Sequence, residues 1–388
     1  MTKLKKLFWI IITGLMSALM NKYQPSNFIT IAIIYIFLAL LVWRILAISV
    51  PSKSLKFYSS LFFLLLIFIE LLLRFFVPSL KTYTEKIGYS YISMYKPPNN
   101  TWYLKHGPNY IQERVQPEFS HIYKSNSLGI FAKEPNDINQ KKHKILCLGD
   151  SFTEGVGAAQ NESWPAILQQ KLDEAYPDSF EVINAGIGGS DVFYMWKLYE
   201  DILKVYNPNQ IIMFIGDSDL FDILVRGGDE RFQQDSNIKY RNAPWFEPLF
   251  KSSYILRLIV LKILQYDFTL LNRNDFNNGL IESCKLIEAK FEEIELILGR
   301  DNIEFNPIIH PVPYEMERGQ FKSEHFAKIA DNKQYKGINF ISKSKELGYK
   351  IPSDFRPYYW PIDGHYTPKG YHLIADIIFD IFYSKQKK

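Results

Sequence analysis

The chain has 388 residues, 47% of them hydrophobic and 22% charged, with 45 Lys and Arg set against 41 Asp and Glu. That length accommodates one large domain or two modest ones. The small formal charge of +4, with no basic helix, Arg-rich block or zinc-spaced Cys/His set, argues against a nucleic-acid partner.

Apolar residues concentrate at the front of the chain. Residues 7–20 follow Lys3, Lys5 and Lys6 and resemble a signal-peptide core, but no small-x-small cleavage site comes after them. Residues 28–50 are almost unbroken hydrocarbon, with Arg44 as the sole charge, and match the roughly 20 apolar residues a bilayer span needs. Residues 57–77 form the next candidate helix. In it Glu70 and Arg74 stand four apart on one face, placed to pair, or for Arg74 to snorkel toward the interface. With three spans, Lys3, Lys5, Lys6, Arg44, Lys53 and Lys56 fall on one side and Lys22 on the other. The positive-inside rule then predicts a multi-pass protein of the cytoplasmic (inner) membrane, with everything after Pro78 on the extracytoplasmic side. If residues 7–20 do not cross, the C-terminal domain faces the cytoplasm instead.

The transmembrane region is thus expected over 1–78. Residues 79–142 are rich in Tyr, Pro and Asn with little helical period, and read as an irregular juxtamembrane wrap or linker. From 143 to 388 short apolar runs alternate with helical patterns. Strands are expected at 144–148, 180–184, 210–216, 303–312 and 337–341, and helices at 163–175, 193–205, 278–298 and 323–332. This alternation predicts an α/β domain with a parallel sheet covered on both faces and function at the strands' carboxyl ends. Cys147 lies in the first of these runs and reads as a core residue rather than half of a disulfide. The last helix is well marked, with Thr367 as N-cap, Pro368 at its first position and an apolar stripe of Leu373, Ile374, Ile377, Ile378 and Ile381. An insertion of about 220–277 interrupts the pattern. Within it, 254–266 is an apolar helical run carrying Arg257 and Lys262, read as a packing helix, a lid or a membrane-facing helix.

Two motifs carry the chemistry. Gly149-Asp150-Ser151-Phe152-Thr153-Glu154-Gly155 follows the first strand directly. A buried strand, a tight polar turn and a helix start are where α/β enzymes place a nucleophile. Near the C-terminus, Trp360-Pro-Ile-Asp363-Gly-His365 precedes the last helix and supplies an acid and a base. Residues 149–157 lack the Gly-Lys-Ser/Thr ending of a P-loop, and 186–189 lack the Gly-x-Gly-x-x-Gly spacing. No metal-ligand cluster is apparent. His310, in Ile309-His310-Pro311, ends a strand at the same edge and reads as structural.

These residues resemble the SGNH (GDSL-type) hydrolases, and specifically their membrane-anchored bacterial members, from about Asn126 to the C-terminus. Gly149-Asp150-Ser151 is similar to the first block of that family, and Asn184-Ala-Gly186-Ile-Gly188-Gly189 to the second. Gly216-Asp217-Ser218-Asp219 falls at the third and Asp363-Gly-His365 at the fourth. Asn126-Ser-Leu-Gly129 resembles a lead-in of the anchored members, as does Glu70-Leu-Leu-Leu-Arg74 closing a membrane helix. The resemblance implies a three-layer αβα sandwich of flavodoxin-like topology. It implies a serine esterase in which Ser151 attacks, His365 is general base and Asp363 orients it. The oxyanion would be held by the N–H groups of Ser151 and Gly189, with Ser218 where the family has Asn; Asp150, Asn184 and Asp219 would support the site. A serine hydroxyl reaches less far than that amide, and losing one oxyanion donor costs about 10²–10³ in rate. One residue separates Asp363 from His365 where the common form has two, and in an extended loop residues two apart share one face. No cofactor is implied. The expected partners are an acylated (foremost O-acetylated) carbohydrate or lipid of the cell envelope and the bilayer itself. O-acyl transfer at the same site and non-catalytic glycan binding with a degenerate oxyanion hole are the alternatives.

Overall fold

The computed structural model describes residues 53–80, 106–139, 142–232, 244–246, 250, 253–266, 270–321, 323–331, 334–335, 337–349 and 356–384. The described residues fall into two compact units, one drawn from 1–90 and 242–277, the other from 91–241 and 278–388. The candidate spans 7–20 and 28–50 lie outside the described residues.

The larger unit opens with an antiparallel hairpin, β1 (Ile111–Val115) and β2 (Ser120–Lys124), in register from Val115↔Ser120 to Ile111↔Lys124. An irregular wrap is expected here from sequence. Instead a Pro117-Glu118 turn, closed by Gln116 N–H donating to Phe119 O at 2.8 Å, pairs two short strands. The Tyr123 hydroxyl donates to the carbonyls of Gly155 (3.2 Å) and Ala158 (2.8 Å), which fastens the hairpin to the chain just beyond Ser151.

Four parallel strands follow, β3 (His143–Gly149), β4 (Phe180–Gly186), β5 (Gln210–Ile215) and β6 (Glu304–Ile309), in the order β4-β3-β5-β6. Nine helices are interleaved with them among the described residues of this region: α1 (Ser151–Glu154), α2 (Trp164–Ala175), α3 (Val192–Asp201), α4 (Asp217–Arg226), α5 (Arg273–Arg300), α6 (Pro313–Arg318), α7 (Glu324–Ala330), α8 (Phe340–Glu346) and α9 (Pro368–Phe382). The strand expected at 337–341 contributes one parallel bridge, Asn339 to Ile309. It goes no further because the Asn339 side chain accepts Ser342 N–H at 3.0 Å and starts α8 there. The C-terminal helix has the start read from sequence, with Thr367 Oγ1 accepting Gly370 N–H at 3.3 Å.

Side chains of β3 alternate between two cores, as the period of two requires. Leu146 and Leu148 pack with Trp196 of α3, Ile223 of α4 and Phe291 of α5. Ile145 and Cys147 pack with Trp164 and Leu168 of α2 and with Ile374 and Ile378 of α9. The result is a three-layer α/β/α arrangement in which each buried isoleucine of α9 contributes about 1.5–3 kcal/mol. Cys147 is fully buried in that core, and both cysteines are free. Strand order switches direction between β3 and β5, opening a crevice at their carboxyl ends.

The smaller unit contains the helix Lys53–Phe76. Its stretch Phe57–Phe76, with mean hydropathy 2.2, is the one helix among the described residues long and apolar enough to cross a membrane. Phe57, Phe62 and Phe68 on it are exposed, whereas Glu70 is 3% exposed. The Glu70 carboxylate accepts the N–H groups of Tyr254 (2.6 Å) and Ile255 (2.9 Å) and the Ser253 hydroxyl (2.9 Å). It thereby caps the short helix Tyr254–Leu258, which runs into a π-helical turn, Ile259–Ile263. Arg74 lies a longer 4.0 Å from Glu70, with its guanidinium over the Tyr254 ring at 4.6 Å. Within this unit the 254–266 run is therefore a packing helix, and buried Arg257 ties it down through the carbonyls of Phe250 (2.9 Å) and Leu80 (3.0 Å).

Candidate active site

Ser151 is the first residue of α1, directly after β3. Asp150 caps that helix, its Oδ1 accepting Phe152 N–H at 2.9 Å. Two glycines make the turn possible by close approach. A Cβ on Gly149 would stand 2.0 Å from Thr153 Oγ1, and one on Gly186 would stand 2.1 Å from Glu154 N. Only glycine at both lets α1 settle onto the end of β4.

Asp363 and His365 lie in the loop before α9. A Tyr359↔Tyr366 bridge closes it, Trp360 N–H donates to His365 O (2.9 Å), and Gly364 N–H donates to Trp360 O (2.8 Å). Gly364 has φ 88°, so the loop is a tight turn rather than the extended segment expected. The turn achieves what extension was expected to achieve. His365 Nδ1 lies 2.5 Å from Asp363 Oδ1, and His365 Nε2 lies 2.7 Å from Ser151 Oγ. With the Nδ1 proton on the carboxylate side, Nε2 is free to accept the serine proton. The His365 side chain is 21% exposed, so a substrate can reach the pair.

The loop after β4 approaches the same point. Gly189 has φ 75°, with open space where a Cβ would project. Its flanks are held firmly. Ile187 N–H and Ser190 Oγ both donate to Gly149 O at 2.9 Å, and Gly188 N–H donates to Glu154 Oε2 at 2.5 Å. Arg226 Nη1 donates to Gly189 O at 2.7 Å. Asp191 caps α3 and meets Arg231 at 2.5 and 2.8 Å with both side chains buried. Burial alone would raise the Asp191 carboxyl, but Arg231, Arg226 and the Tyr194 N–H together hold the group below its ordinary range.

The remaining residues expected at the site divide by position. Ser218 is exposed at the start of α4, its hydroxyl donating to Asp150 Oδ2 over 3.5 Å. Asn184 braces the β4 turn, accepting Gly186 N–H at 3.0 Å and donating to Glu154 O and Ser163 Oγ at 3.4 Å each. Asp219 accepts Gly216 N–H at 2.8 Å, and burial raises it well above the carboxylate range. Burial likewise raises Asp150 to about 7. His310 is buried under the site, stacked on Phe214 and 4.5 Å from the Phe152 ring; burial lowers it to about 3, so it is neutral at physiological pH.

Sequence reasoning missed four side chains. Glu154 is fully buried and takes Arg114 at 2.7 Å and His106 at 3.3 Å, besides Gly188 N–H. Burial pushes its carboxyl up, but His106, Arg114 and the Gly188 N–H together hold it at about 2. Glu118, at the turn of the hairpin, accepts the N–H groups of Ile362 (2.9 Å) and Asp363 (2.8 Å). Glu154 lies inside the motif already singled out, and a charge so close to a buried strand end was a signal that a partner is needed. Nothing local marks His106, Arg114 or Glu118. A groove of about 840 Å³ between the hairpin and α2, lined in part by Asn109, Lys124, Gln160 and Gln170, contains none of Ser151, Asp363 and His365.

The sequence profile of the GDSL-like Lipase/Acylhydrolase family matches residues 147–373. No curated protein matches the chain. Among solved structures, the acetyl xylan esterase AlAXEase is similar at 16% identity and TM-score 0.36, over 62% of this chain and 99% of that one. A catalytic mutant of Axe2, an acetylxylan esterase from Geobacillus stearothermophilus, is similar at 15% identity and TM-score 0.36, over 63% and 95%. The psychrotrophic esterase EstA from Pseudoalteromonas sp. is similar at 19% identity and TM-score 0.32, over 62% and 96%.

Proposed function

Because the chain belongs to the GDSL-like lipase/acylhydrolase family and is an ester hydrolase of that type, we propose that Ser151, His365 and Asp363 are its catalytic triad. The observation that carries this reading is the continuous relay from Ser151 Oγ through both ring nitrogens of His365 to Asp363 Oδ1, at 2.7 and 2.5 Å. His365 takes the Ser151 proton as Oγ attacks the ester carbonyl. Asp363 stabilises the imidazolium, which then protonates the leaving alcohol. The N–H groups of Ser151 and Gly189 receive the oxyanion, and the Ser218 hydroxyl, turning from its long 3.5 Å bond to Asp150 Oδ2, is a third, weaker donor. Water resolves the acyl-enzyme by the same base.

The proposed substrates are O-acyl, foremost O-acetyl, esters of cell-envelope carbohydrate or lipid. The motif resemblance to membrane-anchored bacterial members supports this reading, as does the exposed apolar surface of Phe57–Phe76, which would anchor the enzyme in the cytoplasmic membrane. The hydrolase domain, proposed over 143–388, would then act on the extracytoplasmic side. Hydrolysis of a short-chain chromogenic ester, lost in Ser151→Ala and His365→Ala, tests the triad. Retained turnover in either variant refutes it. A topology reporter fused after Pro78 tests the sidedness, and a cytoplasmic signal overturns the envelope assignment.

A further inference from the structure

The matched family segment begins at residue 147, yet upstream of it Glu118 holds the loop of Asp363 directly and Arg114 pairs with the Glu154 that holds the loop of Gly189. We infer that the β1–β2 hairpin is a positioning element of the active site, in which Glu118 sets the acid–base loop and Arg114, with His106, sets the oxyanion loop through Glu154. This rests on the triad proposed above.

Glu118 Oε2 accepts the N–H groups of both Ile362 and Asp363, at 2.9 and 2.8 Å, and Oε1 meets Ile362 N–H again at 3.1 Å. These are charge-assisted bonds, roughly twice as strong as neutral ones. They act on the backbone of the residue whose carboxylate orients His365. The neighbouring Phe119 ring lies 5.7 Å from Trp360, whose N–H is bonded to His365 O. On the other side, Arg114 pairs with Glu154 at 2.7 Å, with His106 Nε2 3.3 Å from the same carboxylate, and Glu154 Oε2 fixes Gly188 N–H next to Gly189. Arg114 and Glu118 belong to one hairpin, so a single rigid element governs the placement of both loops around Ser151. Tyr123 of β2 secures that element to the carbonyls of Gly155 and Ala158, just beyond the nucleophile's helix.

The test uses the full chain in detergent micelles. It compares kcat and KM for a chromogenic ester across pH, melting temperature, and labelling of Ser151 by a serine-reactive phosphonate. The unaltered chain is set beside Ser151→Ala, Glu118→Ala, Glu118→Gln and Arg114→Met. Glu118→Ala is expected to lose about 10- to 100-fold in kcat and labelling rate through misplacement of the relay, with KM and melting temperature nearly unchanged. The acid limb of its kcat/KM profile moves to lower pH, because a displaced Asp363 stabilises the imidazolium less. Glu118→Gln keeps an oxygen able to accept both N–H groups and recovers most of the activity. Arg114→Met lowers kcat without moving the acid limb, because it acts on the oxyanion side. Glu118 is half-buried at a turn, so its variants decide the matter even where Arg114→Met does not fold. A Glu118→Ala enzyme within about twofold of the unaltered kcat, with the same acid limb, overturns the inference. Failure of the unaltered chain to be labelled at Ser151 overturns the triad itself, and the inference with it.

Discussion

Replacing Glu154 by Gln removes one negative charge from a fully buried position and leaves Arg114 facing a neutral amide 2.7 Å away. The carboxyl is held at about 2 against an ordinary 4.5; at 1.36 kcal/mol per pH unit the charged form is favoured in the native state by about 3 kcal/mol. Breaking a buried ion pair from one side costs about 3–5 kcal/mol, which agrees. For a domain of this size, where 1 kcal/mol shifts melting by about 2–4 °C, Glu154→Gln should melt about 6–12 °C below the unaltered chain at pH 7. The sign with pH is fixed by the lowered native value. The stability is complete above about 4.5 and is lost as pH falls through about 2. Glutamine has no such titration, so the gap between the two proteins should fall below about half by pH 3. Thermal melting followed by tryptophan fluorescence from pH 7 to pH 3 measures both quantities. A variant melting within about 2 °C at pH 7, or a gap constant down to pH 3, refutes the account of Glu154 as a paired buried charge.

Asp363→Asn should reduce kcat about 10³–10⁴-fold by favouring the wrong His365 tautomer, and a loss below about tenfold on a chromogenic ester would exclude Asp363 from the relay. Ser218→Asn supplies a longer donor toward the oxyanion. It should raise kcat about tenfold or more at constant KM, and no gain would show that this position does not reach the oxyanion. Asp150 binds its proton more tightly in the native state, about 7 against 3.8, so the chain should lose stability as pH rises between those values. Asp150→Asn should make that decline shallower, leaving the share that Asp219 and Asp222, also raised by burial, contribute; a melting profile from pH 4 to 8 with the same slope in both proteins would contradict it. Gly186→Ala places a Cβ 2.1 Å from Glu154 N, against backbone that cannot yield. A loss of about 1–3 kcal/mol or more is expected, measured as a lowered melting temperature or as failure to accumulate folded protein.

The elements and motifs that local chemistry specifies were legible in the sequence. The two-residue period of β3 placed its side chains in two cores. Thr367 and Pro368 marked the start of α9, and the glycines at 149 and 186 stand at the turns they make possible. Ser151, Asp363 and His365 stood out because each is within a few residues of a strand end or a helix start. Tertiary structure alone decided the hairpin, the Glu154 cluster and the docking of the 254–266 run. Arg114 finds Glu154 from 40 residues away, Glu118 finds Asp363 across 245, and Glu70 finds the Tyr254 N–H across 184. Such pairs leave no period in the chain, because a buried charge needs a partner in space and accepts one from any distance in sequence. Asn339 shows the same limit at short range. An apolar run next to a sheet edge fits a strand as well as a helix, and a side-chain bond to Ser342 N–H is what made it the start of a helix.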